Sequence, residues 1–574
     1  MKQGRPPAGP SVFSILGPYR KLIALLAFFS VASNALTLWL PKVISHAIDA
    51  YAHHTLVLSG VAWRFGLISG LIFVLVYLMS IVQVYASERV AKDLRNKLAA
   101  KISQQTYVYV QKVTPSKLLT NLTSDIDAVK LFVAQAIVSL ISSLFLIVGG
   151  SVLLLLTNWR LALAVLSIVP VIAATFFLTL RQVRTLFLKS REVIDRLNRV
   201  INESIMGAAL VRVLNSQKLE HAKFSGANAA SRDLGLQIVN IFSGLIPAIT
   251  FIANLATVII LALGGHFVIT GSMSLGDYAA FGTYIGILIF PILVVGFMSN
   301  VIAQATASYG RIAEVLDSPV VEELGTRQDA LHGDVEVKNL VVQYGEKSAL
   351  KDVSFAVKGG TRTAIIGPTA AGKTQLLYVL TGLLEPSSGK VLFDGHDLHD
   401  YDSVSLHRQV GFVFQDSIVF NMSLRENIAF SQAVSEKDVQ RAIATAELHD
   451  LVESLPDKLE TIVSERGTSL SGGQKQRLML ARALALNPKI LFLDDFTARV
   501  DASTEAKILA NLRRDYPDLT LISVTQKIAS IEEYDQIILL MEGELLAQGT
   551  HAELRNTSPE YVQIYTSQQS TNNL

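Results

Sequence analysis

The sequence predicts two unlike halves in one chain: an all-α six-helix transmembrane domain with long intracellular helical extensions, fused to an α/β domain of the P-loop NTPase type. Three observations lead there. The first half carries six apolar stretches, each long enough to cross about 30 Å of hydrocarbon. Residues from about 333 onward read instead as an ordinary soluble α/β domain. Within them, Gly367, Pro368, Thr369, Ala370, Ala371, Gly372, Lys373 and Thr374 fit G-x-x-x-x-G-K-[ST], directly after the strand-like Thr363-Ala364-Ile365-Ile366 that this pattern requires. Composition agrees with the split, since 17% charged residues and a mean hydropathy of +0.41 are too apolar for a wholly soluble protein. The expected domains are 1–315 in the membrane, a charged linker over 316–332 and the nucleotide domain over 333–574.

The apolar stretches run roughly over Leu22–Leu40, Phe65–Val84, Ala136–Leu156, Leu161–Leu180, Ile241–Leu263 and Tyr278–Met298. Two long connections are basic. The one after the second stretch carries Arg89, Lys92, Arg95, Lys97 and Lys101, and the one after the fourth carries Arg181, Arg184, Lys189, Arg191, Arg196 and Arg199. The other connections are short and almost uncharged, so the positive-inside rule puts both basic segments and both termini in the cytoplasm. Val90, Leu94, Leu98 and Ile102 keep helical spacing, which predicts that spans two to five continue as helices beyond the bilayer. Asn34, Gln83, Gln135, Asn254, Asn300 and Gln304 are the sparse polar residues of the spans, expected to tie helices together by hydrogen bonds. No ionisable residue lies mid-span, so the usual sign of an ion or proton relay is missing. Pro247 and Pro291 are candidate kinks.

Several classes are excluded early. There is no cysteine, which removes disulfides, Cys-ligated zinc and thiol catalysis. A net charge of +2 with no basic tract gives no reason to expect nucleic acid. The polar start and the long first apolar run do not read as a cleavable signal peptide.

The soluble half supplies the chemistry. Backbone N–H groups of the phosphate loop and the N-terminus of the following helix suit anionic phosphates; Lys373 reaches the outer phosphates and the Thr374 hydroxyl ligates Mg²⁺. Downstream, the apolar run Ile490-Leu491-Phe492-Leu493 ends in Asp494 and Asp495. A carboxylate at the end of a buried strand is costly without a cation, and Mg²⁺ or its bound water is the expected one. Between these motifs stands Leu470-Ser471-Gly472-Gly473-Gln474. Phosphate loop, Ser-Gly-Gly-Gln and strand-end aspartate, in this order, resemble the ATP-binding cassette (ABC) transporters. Six spans with two long intracellular helical hairpins ahead of such a domain resemble their exporters.

The resemblance implies further roles. Tyr344 stacks on adenine, Gln375 joins the nucleotide-binding set, and Gln415 in Val413-Phe414-Gln415-Asp416 touches the metal and the coupling helices. Those helices are expected at hairpin tips near Pro115–Thr120 and Leu214–Leu219. Two cassettes meet head to tail, so that Ser471, Gly472, Gly473 and Gln474 complete the ATP site of a second subunit. The metal set is then Thr374, Gln415 and Asp494, and the catalytic set Asp494, Asp495 and Gln526. Two of these depart from the family pattern: Asp495 stands where a glutamate base is usual, and Gln526 where histidine is. Gln cannot become positively charged near pH 7 as His can. The segment Ala498-Arg499-Val500-Asp501 keeps the family's terminal aspartate but not the residues before it.

An intact signature beside an altered base and switch residue resembles the degenerate half of a heterodimeric exporter, whose own loop retains ATP with slow turnover. The alternative is a homodimer in which Asp495 works. A nucleotide-gated channel or regulatory subunit is the reading from another class, although such relatives usually carry extra regulatory segments absent from Leu331 to Leu574. An importer is disfavoured by the fusion of both domains, and a peptidase-bearing exporter by the short N-terminus. Expected partners are a second half-transporter, the lipid bilayer of the plasma membrane and an amphipathic small molecule, with the ATP-binding domain cytoplasmic and no nucleic acid bound.

Overall fold

The computed structural model describes residues 11–320, 325–345, 347–431, 434–463 and 470–572. By its contacts the chain forms two units. One runs through Gln104 and resumes from Val113 to Pro319; the other takes in Gln105–Lys112 and continues from Val320.

Among the described residues of the first unit, six helices are long and apolar enough to cross a membrane: α1 (Val12–Ala52), α2 (Leu58–Ser103), α4 (Pro115–Thr157), α5 (Trp159–Met206), α7 (Gln217–Ile269) and α8 (Leu275–Leu316). The short helices α3 (Tyr107–Val113) and α6 (Ala208–Val213) lie between them. At 1.5 Å rise per residue, helices of more than 40 residues exceed roughly 60 Å, twice the hydrocarbon thickness. Spans two to five therefore continue past their apolar stretches, as the periodicity of the basic segments predicts. Val90, Leu94 and Leu98 are buried along that stripe.

The hairpin tips fall earlier than expected. The first is α3, because Pro115 opens α4 at a position where its missing N–H removes no helical bond. The second is α6 with the turn at Asn215, whose φ of +51° breaks the helix before α7 begins. Neither Pro247 nor Pro291 interrupts its helix; the widened turns lie instead at Asn121–Asp125, Phe132–Ala136 and Ile260–Gly264.

The helices hold one another by apolar packing, with Leu154, Leu161, Phe281 and Tyr284 at its centre, and by two polar ties. Asp49 accepts from the Ser274 hydroxyl at 2.8 Å and the Gly276 N–H at 2.7 Å, next to Lys42 on Asp277. Asp125, with 4% of its side chain exposed, accepts from Arg311 Nε at 3.0 Å. Of the sparse polar residues, only Gln83 ties helices as expected, donating to the Ala134 carbonyl. Asn34 bonds Ser30 of its own helix. Gln135, Asn254, Asn300 and Gln304 are exposed and make no side-chain hydrogen bond among the described residues.

The second unit has two sheets. Strands β1 (Val335–Tyr344), β2 (Lys347–Val357), β4 (Ser388–Phe393) and β5 (His396–Asp397) form an antiparallel sheet in the order β2-β1-β4-β5. The other sheet runs β10-β9-β3-β8-β7-β6, with β3 (Arg362–Ile366), β6 (Val410–Val413), β7 (Ile490–Asp494), β8 (Thr520–Val524) and β9 (Gln536–Met541) mutually parallel and β10 (Glu544–Gly549) antiparallel at the edge. Parallel strands covered on both faces read as continuous apolar runs. Alternate residues then serve opposite cores: Ala364, Leu491, Leu493 and Leu521 pack on one face, Ile365, Ile490, Phe492 and Ile522 on the other.

Candidate nucleotide site

The sheet order assembles the site. Strands β3, β8 and β7 are adjacent, with Ile365 paired to Val524 and Val524 to Asp494. Their carboxyl ends, where α/β sheets bind ligands, therefore release the phosphate loop, the Thr525–Lys527 segment and the Asp494–Asp495 pair side by side. Loop residues Thr369 to Gly372 line one cleft of about 240 Å³ together with Lys373, Thr374, Gln375, Gln415, Asp494, Asp495 and Gln526.

Two glycines shape the loop. A Cβ on Gly367 would sit 2.0 Å from the Leu540 carbonyl oxygen, and one on Gly372 (φ +92°) 2.5 Å from that of Ala349. Gly372 opens α9 (Lys373–Leu380), and Ala370 holds a left-handed φ of +65° without glycine's freedom. Lys373 is buried, and its Nζ donates to the carbonyls of Gly367 at 2.7 Å and Pro368 at 2.8 Å. Burial pulls its pKa down, against the raising pull of Asp495 and Asp494.

Asp494 is 1% exposed. Its Oδ1 accepts from the Thr374 hydroxyl at 3.3 Å, whereas its Oδ2 is buried without a hydrogen-bond partner among the described residues. Burial raises its pKa, partly opposed by the Thr374 bond and raised again by Asp495. An orphaned buried carboxylate oxygen beside a hydroxyl, with the Gln415 amide in the same cleft, is a hard oxygen set that fits Mg²⁺. Asp495 takes a left-handed φ of +47° and donates its N–H to the Val524 carbonyl at 3.0 Å. Its carboxyl is also pushed up by burial, with Lys373 and Lys527 pulling it down.

The segment carrying Gln526 is tethered on two sides. Lys527 Nζ donates to the Thr497 carbonyl and to Glu505, both at 3.1 Å, and the Glu505 side chain is buried. On the other side, Gln568 bonds the Gln526 carbonyl and the Ile528 N–H. Sequence reasoning missed Ala349, which lines the cleft, and both tethers. Glu505 left a signal: it shares a buried i, i+3, i+7 stripe with Ile508 and Leu512, where an acid is out of place. Gln568 left none.

Tyr344 ends β1 with its ring half-exposed, and its hydroxyl donates to Gln375 Oε1 at 2.6 Å. Ser471, Gly472, Gly473 and Gln474 are not brought into the cleft. They begin α10 (Gly472–Ala485), where Ser471 caps the helix, accepting from the Gln474 N–H while the Gln474 side chain accepts from the Ser471 N–H. Both glycines abut Arg499.

Comparison with known proteins agrees with this geometry. The family described as ABC transporter transmembrane region matches residues 22–292, and the family described as ABC transporter matches residues 350–498. An uncharacterised ABC transporter ATP-binding protein of Bacillus subtilis is 31% identical over 97% of this chain and 98% of its own length. The ATP-dependent lipid A-core flippase of Syntrophus aciditrophicus is 28% identical over 85% of this chain and 82% of its own. A bacterial Atm1-family ABC exporter solved with ATP bound shares the fold with a TM-score of 0.77 at 24% identity, covering 96% of this chain and 98% of that one. The chain belongs to the ABC transporter family, as a multi-pass membrane exporter that hydrolyses ATP with Mg²⁺ through an α/β domain fused behind six membrane helices.

Proposed function

We propose that this chain is one half of a heterodimeric exporter of amphipathic, lipid-like or drug-like compounds in the plasma membrane, with the nucleotide domain and both termini cytoplasmic. Its own phosphate loop holds ATP at a weak site, and its signature completes the partner's competent one. The observation that carries the reading is the membership of the cleft: Asp495 and Gln526 share it with Lys373, whereas Ser471 to Gln474 lie outside it.

In this reading Lys373 exchanges two loop carbonyls for phosphate oxygens, the loop N–H groups and the start of α9 take the remaining phosphate charge, and Tyr344 offers its exposed ring to adenine. Thr374, Gln415 and Asp494 hold Mg²⁺, which when bound supplies positive charge beside the outer phosphates. Asp495 has a carboxylate one methylene shorter than the usual base, and Gln526 offers hydrogen bonds without a proton to lend. The start of α10 faces the nucleotide of the second subunit through the N–H groups of Gly472 and Gly473, which the capping box does not use. An amphipathic cargo is supported by spans that place exposed Asn254, Asn300 and Gln304 among apolar residues, and by the flippase among the relatives.

Co-expression with a partner half should give cargo-stimulated turnover, while the chain alone hydrolyses ATP poorly. Asp495→Asn should change the complex's rate little, whereas removing the partner's glutamate should cost about 10² to 10⁴, the usual contribution of a general base. ATP should persist at this chain's loop after the partner site has turned over. Brisk turnover by the chain alone, abolished by Lys373→Ala, would establish the homodimer instead.

A further inference from the structure

Gln568 lies near the end of α11 (Pro559–Asn572), 42 residues beyond Gln526 in sequence. Its side-chain amide makes two hydrogen bonds to one short stretch of backbone. Nε2 donates to the Gln526 carbonyl at 2.6 Å, and Oε1 accepts from the Ile528 N–H at 2.9 Å. An amide that satisfies a C=O and an N–H two residues apart acts as a strand edge would, fixing the peptide planes on either side of Lys527. With its backbone held from behind, Gln526 lines the cleft beside Lys373 and Asp495.

The helix carrying this clamp is itself well seated. Tyr561 is fully buried in the core of the nucleotide domain, and its hydroxyl meets His551 Nδ1 at 2.6 Å. Gln568 follows seven residues later, two helical turns further along the same side. On the opposite flank the ion pair of Lys527 with buried Glu505 holds the segment to the helix Ala502–Asp515. The segment is therefore pinned at both sides, one pin being supplied by the last helix of the chain.

We propose that Gln568 is a positioning residue of the ATP site, fixing the 526–528 backbone so that the Gln526 side chain meets the nucleotide bound at this chain's loop. The C-terminal helix is thereby a working part of that site. The inference rests on the reading that ATP occupies the cleft of Lys373 and Gln526.

The test is Mg²⁺-dependent photolabelling of the full-length chain by 8-azido-ATP, competed by ATP, in lipid nanodiscs. Gln568→Ala should weaken retention about fivefold, the scale of a lost neutral hydrogen bond, with elution and thermal midpoint as folding controls. Gln526→Ala should weaken it similarly. The double variant should be no weaker than either single one, because Gln568 acts through Gln526 and a merely structural role would multiply the two effects. Gln568→Glu keeps the acceptor for the Ile528 N–H but sets an oxygen against the Gln526 carbonyl; it should give the same loss, and it decides the matter if the alanine variant fails to fold. Wild-type retention in folded Gln568→Glu, no effect of Gln526→Ala, or effects that multiply in the double variant would overturn the proposal. Labelling unaffected by Lys373→Ala would instead overturn the placement of ATP on which it rests.

Discussion

Adding one methyl group at each of two neighbouring glycines should have unequal consequences. At Gly472 a new Cβ would lie 2.9 Å from Arg499 Cδ, a carbon in a flexible side chain that can rotate away. At Gly473 the new Cβ would lie 2.7 Å from the Arg499 carbonyl oxygen, with the Val500 Cα behind it. Backbone cannot yield by rotamer, and Arg499 is further held through its N–H on the buried Gln476 side chain at 3.1 Å. Overpacking of this kind typically costs about 1–3 kcal/mol, so Gly473→Ala should destabilise the nucleotide domain by about that much and Gly472→Ala by well under half of it. The function should split the same way. If the N–H groups at the start of α10 serve the partner's nucleotide, displacing them should lower the ATPase rate of the complex by about 10² to 10³, the usual cost of losing a preorganised donor. Thermal denaturation and ATPase rates of the two variants, assembled with a partner half, are the measurement. Pairing Gly472→Ala with Arg499→Ala should restore the stability it loses, and the same pairing should leave Gly473→Ala damaged. Equal effects at the two positions would refute the assignment of the contact to backbone in one case and to side chain in the other.

Two further outcomes follow from the ion pairs. Arg311→Ala leaves the buried Asp125 carboxylate without its cation; broken buried pairs cost about 3–5 kcal/mol, and the partial exposure of Arg311 reduces this to about 1–3 kcal/mol, read as faster thermal inactivation in detergent, with unchanged stability arguing against the tie. His399 is the other case: burial lowers its pKa, but hydrogen bonds and charges from Glu385 and Asp397 more than offset this and leave it raised. Stabilisation from a raised histidine is fully present below its unfolded pKa of about 6.5 and fades as pH rises through the folded value. His399→Gln should therefore destabilise the domain at about pH 6 and progressively less toward about pH 9, and a pH-independent difference would show that the imidazolium is not involved.

Much of this protein was legible in order along the chain. The six spans follow from runs of apolar residues longer than a bilayer requires, and the phosphate loop and strand-end aspartate from patterns in which residue type and spacing are dictated by phosphate and metal chemistry. Strands β3 and β7 were readable because burial on both faces forces continuous apolar residues. Where sequence reasoning slipped, local signals competed. The first coupling helix is expected at Pro115–Thr120, but that proline opens the long α4 and the short helix is α3 before it, and the intramembrane amides read as helix ties although four of them are exposed and make no side-chain hydrogen bond among the described residues.

Sequence by itself determined which residues are present and which local element each joins: a lysine and a threonine after a glycine-rich loop, a carboxylate at a strand end with a second aspartate after it, and a glutamine after a later apolar run. Only the tertiary structure decided what stands beside what. The order β3-β8-β7 brings the phosphate loop to the same end of the sheet as the Asp494 and Gln526 segments, which follow it by more than a hundred residues, and the packing around it keeps Ser471 to Gln474 out of that cleft, buries Glu505 against Lys527 and lays Gln568 along the backbone of Gln526. The physical reason is that spacing codes for periodicity along an element, whereas the meeting of distant elements depends on how whole apolar faces pack, and a single polar residue such as Gln568 carries no period from which its partner can be read.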